Sequence, residues 1–295
     1  MSLADLIATR PPILLDGAMG TQLAVAGLDM GGQNCISHPD EVLSVHKQYS
    51  DIGCDILTTN TLTMNGIFIE THGIGVDVKE VNLSGARLAK AAVASEQYVL
   101  GDISSTGQLL EPYGDYSEDQ FYKTFKEQAE HLLAGGVDGF IVETMMDLRE
   151  ALCALCACRD VSPLPVFVTL SFQTTDKGGR TLMGNSAEEI AVALAKAGAA
   201  GIGANCGGLD PHEAAVIVGI MRGCVDLPLI VQPNAGKPRL VDGQTIFDMN
   251  PEVFAEGIAE CIAAGANLVG GCCGTTPEHI RRIAESLKRN RKTNQ

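Results

Sequence analysis

The sequence predicts an α/β chain folded as a single (βα)8 TIM barrel. Three observations carry that prediction. Eight short apolar runs alternate with eight longer amphipathic ones. The short runs are apolar on both faces, as strands of a sheet covered on both sides must be. Eight such units in 295 residues also fit the size of this barrel, typically ~250 residues. The rival is an open doubly wound sheet, which calls for a GxGxxG turn after its first strand. The chain has "DGAMGTQL" there instead.

The elements follow in order. The first strand is read at "ILLDG" (13–17), with a helix at 39–53 that opens on Pro39 and stops at Gly53. "CDILTTNT" (54–61) precedes a helix at 78–96. "YVLGDIS" (98–104) precedes one that starts after an N-cap at Ser117 and stops at Gly135–Gly136. "DGFIVET" (138–144) leads to an alanine- and leucine-rich helix at 147–160. "VFVTLSF" (166–172) is followed by a helix whose Ser186 and Glu189 have capping-box spacing. "GIGANC" (201–206), "LPLIVQPN" (227–234) and "NLVGGCC" (267–273) complete the strands. Their helices open on Asp210–Pro211, Asn250–Pro251 and Thr276–Pro277, each an N-cap with proline at the first helical position. One domain is expected over 1–295, with the polar, basic segment 286–295 fraying as a tail.

Composition excludes whole classes of function. A net charge of −15 and a pI near 4.7 make nucleic acid and anionic membrane poor partners. No apolar run reaches the ~18–20 residues of a spanning helix. The start, "MSLADLIATRPP", has no basic region leading into an apolar one, so no signal peptide is expected. Ten cysteines without a secretory signal point to a reducing compartment, the cytoplasm, where thiols stay free for metals or catalysis.

Chemistry in such a barrel sits at the C-terminal ends of the strands. Reading those ends gives Asp16, Thr59, Asn60, Asp102, Glu143, Ser171, Asn205, Cys206, Asn234, Cys272 and Cys273. Three thiols from the sixth and eighth strands therefore meet on one rim. Three thiolates suit Zn²⁺, which favours sulfur, takes four ligands and keeps one position open in catalytic sites. They do not suit Mg²⁺ or Ca²⁺, which want oxygen. Gly270, Gly271 and Gly274 let the chain curl so that both adjacent cysteines face one ion. Other readings of the pair remain: small apolar filler, a strained vicinal disulfide, or part of a glycine-rich phosphate turn, which has no use for thiols. Cys153, Cys156 and Cys158 read as core filler on their helix. His46, His131 and His279 fall on helices, away from the rim. Glu143 closes a strongly apolar strand, where a carboxylate is functional or ion-paired. Asp16 alone reads equally as a turn residue. No strand ends in lysine, which argues against Schiff-base chemistry.

With these motifs in hand, the chain resembles the homocysteine S-methyltransferase family along nearly its whole length. The matching stretches are "LLDGAMGTQL", "TTNT", "IVET", "GANC", "PNAG" and "GGCCGTTPEHI". "PNAGKPRLVDGQTIF" and "ETMMDLREA" resemble in particular the homocysteine module of the cobalamin-dependent methionine synthases. The resemblance implies a zinc-dependent methyl transfer to the homocysteine thiolate, giving methionine. It implies one Zn²⁺ per chain on Cys206, Cys272 and Cys273, with Asn234 completing the shell before substrate binds. Asp16 and Glu143 would hold the homocysteine ammonium. The backbone from Gly17 and Ala18 to Gly20 would hold its carboxylate.

The donor is open at this point. A quaternary ammonium such as betaine wants an aromatic cage, but the chain has no Trp and five Tyr, and Thr144 follows Glu143. A methylated corrinoid on a separate protein, or a small sulfonium such as S-methylmethionine or S-adenosylmethionine, fits better. Tyr113 and Tyr116 in "GQLLEPYGDYSE" either line a donor face or cover the mouth. Two alternatives stand beside this reading: a zinc- or thiol-binding barrel without turnover, and a different thiol or selenol acceptor.

Overall fold

The computed structural model describes residues 2–241 and 243–293. Eight parallel strands make one sheet: β1 (Ile13–Leu14), β2 (Ile56–Thr58), β3 (Tyr98–Ile103), β4 (Gly139–Met145), β5 (Val166–Leu170), β6 (Gly201–Asn205), β7 (Leu229–Gln232) and β8 (Leu268–Val269). From β2 to β8 each pairs with the next in the chain, and β8 pairs with β1 through Ile13–Leu268 and Leu14–Val269. The ring closes between β1 and β2 on one parallel bridge, Leu15 to Ile56. The flanking Asp16 N–H donates to Ile56 O at 3.1 Å and the Asp55 N–H to Leu14 O at 2.7 Å. The (βα)8 barrel expected from the sequence is the fold observed.

Each strand is followed by a helix: α1 (Pro39–Ile52), α2 (Val78–Ala92), α3 (Glu118–Ala134), α4 (Leu148–Val161), α5 (Ala187–Lys196), α6 (Pro211–Arg222), α7 (Pro251–Ala263) and α8 (Pro277–Thr293). The expected caps hold them. Ser186 and Glu189 form the capping box of α5, Ser117 caps α3 together with Gln120, and Gly53 ends α1 in the left-handed region at φ 94°. α2 stops at Ala92, short of the expected 96. α8 carries through Thr293 with Leu287 buried, so most of the segment read as a tail is helical; 294 and 295 lie outside the described residues.

The alternation of the strands divides the core in two. Outward side chains such as Leu14, Leu57, Val99 and Val168 pack under the helices. Inward ones, Ile13, Leu15, Ile56, Leu100, Ile141, Phe167, Ile230 and Leu268, fill the lower barrel. Leu3, Leu6 and Ile7, from a helix at Leu3–Thr9 that sequence patterning did not identify, close this layer from below. Burying each such side chain stabilises by about 1.5–3 kcal/mol. Two residues further along the strands the inward positions turn polar: Thr58, Asp102, Glu143, Thr169, Asn205 and Gln232. The apolar floor thus gives way to a buried polar layer at the C-terminal ends.

Candidate metal centre

β6 ends at Asn205, and the next two residues turn left-handed: Cys206 at φ 52° and Gly207 at φ 75°. A non-glycine residue there is uncommon and worth about 1–3 kcal/mol of strain, which is often kept at functional positions. Cys206 is held by its N–H, which donates to Gln232 O at 3.0 Å. On the neighbouring arc the chain leaves β8 through four tethers. Gly270 donates to Val231 O, Gly271 to Asp16 O and Cys272 to Pro233 O, while Cys273 O accepts from Ala235 N–H. Gly274 at φ 79° completes the curl, and a Cβ there would lie 2.2 Å from Phe247 Cβ. Of the three glycines expected to curl the chain only Gly274 is left-handed; at Gly270 and Gly271 a Cβ would fall 2.7 Å from Asp16 O and 2.6 Å from Thr275 Cγ2, so they are needed for close approach.

These turns bring the Sγ atoms of Cys206, Cys272 and Cys273 within 4.8 Å of one another. Three sulfurs around one Zn²⁺ at ~2.3 Å would stand ~3.8 Å apart, so the cluster has the right size. Without a cation the three share their charge unevenly. Hydrogen bonds from Cys272 and Cys273 hold Cys206 well below the usual thiol range. The same contact with Cys206 raises Cys272 well above it and Cys273 to about 12. Asn234 donates through Nδ2 to Gly207 O at 3.0 Å, while its buried Oδ1 has no hydrogen-bond partner. The same side chain also hydrogen-bonds Cys206 and helps to hold it down, so Asn234 stands against the sulfur cluster with an acceptor to spare.

A cavity of about 280 Å³ opens beside the trio. Cys272, Cys273, Asp102, Glu143, Gln232 and Thr58 line it, with the Gly17–Thr21 turn, Met30 and Leu62 on the other side. Glu143 is fixed by Asn205, whose Nδ2 donates to Glu143 Oε2 at 2.6 Å and to Thr144 Oγ1 at 2.7 Å. Asn205 Oδ1 in turn accepts from Thr144 N–H and from Thr169 Oγ1, both at 2.8 Å. Thr144 is itself left-handed at φ 59°. Burial, then the charge of Cys206, raises Glu143 to about 7. Burial, then the charge of Glu143, raises Asp102 well above the carboxylate range.

The other expected residues divide. Asp16 is buried and raised to about 8, mainly by burial, but its carboxylate accepts from Thr58 N–H at 2.8 Å and from Thr58 Oγ1 at 3.2 Å. It is not one of the cavity-lining residues; Gly17 and Ala18 are. The Ala18 N–H donates to Thr275 Oγ1 at 2.9 Å, and Ala18 O accepts from Tyr49 OH at 2.8 Å. Thr59 and Ser171 serve the backbone: Thr59 Oγ1 accepts from Asp102 N–H, and Ser171 Oγ donates to Asn205 O. His279 is structural, bonded to Thr276 and to Met249 O, and His46 is buried in the outer shell. Of the three cysteines expected as filler on α4, only Cys158 is fully buried. Cys153 is half-buried and Cys156 is exposed, because one helix face cannot bury all three. Tyr113 is 77% exposed and Tyr116 packs on Phe121; neither lines the cavity. Sequence reading placed Asn205 at a strand end but missed its hub role. The signal available was its inward register, two residues past Gly203.

Comparison with known proteins agrees with this arrangement. A family profile described as homocysteine S-methyltransferase matches residues 13–287. The methionine synthase of Mycobacterium leprae (strain TN) is 32% identical over 93% of this chain and 24% of its own length. That of Mycobacterium tuberculosis (strain ATCC 25618 / H37Rv) is 31% identical over 97% of this chain and 25% of its own. The chain thus spans about a quarter of the length of these curated relatives. In structure it is similar to the metallated form of the homocysteine methyltransferase MmuM from Escherichia coli. The TM-score is 0.77 at 23% identity, over 96% of this chain and 98% of the other. The carboxyl transferase domain of Rhizobium etli pyruvate carboxylase follows at a TM-score of 0.54 and 13% identity, covering 97% of this chain and 50% of the other. Both likenesses speak to the barrel alone. Among the described residues no helix is long and apolar enough to cross a membrane.

Proposed function

The chain belongs to the homocysteine S-methyltransferase family, and from that premise we propose that it transfers a methyl group to the thiolate of homocysteine, giving methionine. The observation that carries this reading is the meeting of Cys206, Cys272 and Cys273 within 4.8 Å at the edge of a cavity lined by buried carboxyls. Those three residues would hold one Zn²⁺, with Asn234 Oδ1 as the fourth ligand until substrate arrives. Zinc, when bound, keeps a thiol ligand deprotonated at neutral pH.

The chain's own groups do the rest. Asp16, which the family resemblance pairs with Glu143, lies behind the cavity wall on Thr58, while Glu143, oriented by Asn205, accepts from the substrate ammonium. Such a buried charge is tolerated only when paired. The backbone from Gly17 to Gly20 faces the substrate carboxylate. The apolar floor beneath Thr58, Asp102 and Glu143 shuts water out from below, so the substrate sulfur can meet a methyl group only from the open mouth. Fixing that line of approach is the positional part of catalysis.

The donor reading rests on the shape of the mouth. Exposed Met30, Leu62, Leu109, Leu182, Leu240 and Ile246 stand on five different βα connections around it. That rim suits a methylated corrinoid carried by a separate protein. A second reading, a small sulfonium such as S-methylmethionine or S-adenosylmethionine, is favoured by the modest cavity of about 280 Å³. Betaine is disfavoured, since among the described residues no aromatic ring lines the cavity. The test is a donor screen on the zinc-loaded protein with homocysteine as acceptor and methionine read by mass spectrometry. It includes a methylcorrinoid, both sulfonium compounds and betaine. Methionine from a corrinoid or sulfonium donor is expected; homocysteine binding without methionine from any donor overturns the reading.

A further inference from the structure

A homocysteine ammonium brings three N–H donors into the cavity, and each needs an acceptor. The reading above, on which this inference rests, supplies Glu143. Asp16 already accepts two hydrogen bonds from Thr58 and does not line the cavity. Glu143 accepts from Asn205. Asp102 shares a side-chain hydrogen bond with Glu143 but keeps one oxygen open. It lines the cavity, it is 4% exposed, and its buried Oδ1 has no hydrogen-bond partner.

Its backbone is pinned on both sides. The Asp102 N–H donates to Thr59 Oγ1 at 2.9 Å, and Asp102 O accepts from Thr61 Oγ1 at 2.7 Å. It sits two residues beyond Leu100 on β3, so its side chain shares the inward face of the strand. β3 pairs with β4, where Asp102 stands opposite Ile141, two residues before Glu143 on that same face. Buried acceptors are almost always satisfied, and one left open towards a cavity marks a place for a donor. The homocysteine thiol and carboxylate offer no N–H groups; its α-ammonium does.

We propose that Asp102 is a substrate-binding residue whose Oδ1 accepts from the homocysteine ammonium, so that this site selects α-amino thiols over thiols lacking the amine. Burial and the charge of Glu143 both disfavour an ionised Asp102 without a cation, and the arriving ammonium supplies one.

The experiment compares two thiols, homocysteine and 4-mercaptobutanoate, which keeps the thiol and carboxylate and lacks the amine. Calorimetric affinities are measured on the zinc-loaded wild type and on Asp102→Asn, with zinc content as control. Asp102→Asn keeps an acceptor oxygen but removes the charge; it is expected to weaken homocysteine by about tenfold, the difference between a charged and a neutral hydrogen bond, and to leave 4-mercaptobutanoate unchanged. Equal weakening of both thiols, or of neither, overturns the proposal. Asp102→Ser replaces Asp102→Asn if the latter does not fold. A crystal structure of the wild type with homocysteine decides without any variant: an amine nitrogen within about 3.2 Å of Oδ1 is expected, and one beyond about 4 Å overturns it. If the wild type binds 4-mercaptobutanoate but not homocysteine, the acceptor assignment falls too. If it binds homocysteine and Asp102→Asn is indifferent, only the role of Asp102 falls.

Discussion

Asn205→Ala removes the hub that ties β4, β5 and β6 together and orients the Glu143 carboxylate. Asn205 is 2% exposed and its side chain makes four hydrogen bonds, at 2.6, 2.7, 2.8 and 2.8 Å. Three are to neutral groups, at about 0.5–1.5 kcal/mol each; the fourth goes to a carboxylate, at about 1.5–3 kcal/mol. Their partners, Glu143 Oε2, Thr144 N–H and Oγ1, and Thr169 Oγ1, would be left unpaired at positions with little access to water. The expected destabilisation is therefore about 3–7.5 kcal/mol, a large share of the ~5–15 kcal/mol of a typical protein. Urea unfolding of the zinc-loaded protein, with midpoint and slope measured on wild type and variant, reads it directly. Homocysteine affinity should fall in parallel, because Glu143 is no longer held in one orientation. A stability loss below about 1 kcal/mol would mean that water or rearranged neighbours satisfy these groups, and the hub reasoning would be refuted.

The other expectations concern the same site. Glu143→Gln should leave zinc bound and weaken homocysteine by about 10–100-fold by calorimetry; unchanged affinity counts against its ammonium role. Gly274→Ala forces a side chain onto φ 79° with its Cβ 2.2 Å from Phe247 Cβ. It should lower the melting temperature and loosen zinc, as a competition titration with a chelator would show. Asp16 is raised to about 8 when folded, chiefly by burial, against ~3.9 unfolded. Its contribution to stability is full below the unfolded value and is lost as pH rises through the folded one. The ligand-free protein should thus melt at lower temperature as pH rises between about 4 and 8, and Asp16→Asn should reduce that slope, the remainder coming from the raised Glu143 and Asp102. An equal slope in both proteins would contradict the assignment.

The barrel was legible because burial on both faces and helix caps are written locally. Residues such as Ser186, Glu189 and Gly53 announce an element end by their own chemistry. The sulfur trio was legible once the strand ends were aligned, since glycines 270, 271 and 274 have few other uses. What escaped was contact between distant segments. Nothing in the residues around Asn205 says that its amide reaches Glu143, 62 positions away. Left-handed Thr144 and Cys206 carry no glycine to betray their backbone. Asp102 was read as a strand end, but only the cavity reveals that its Oδ1 lacks a partner. The helix at Leu3–Thr9 is too short for its period to stand out, and its place as a floor is a matter of packing. The hairpin pairing Arg239–Val241 with Gln244–Ile246 was hidden inside a polar connection.

Zinc content per chain, measured by elemental analysis on the wild type and on Cys206→Ala, Cys272→Ala and Cys273→Ala, tests the central claim most directly. The geometry predicts about one zinc in the wild type and its loss from each variant, since a structural or catalytic site of this type does not survive on two thiolates. Stoichiometric zinc in all three variants would contradict it.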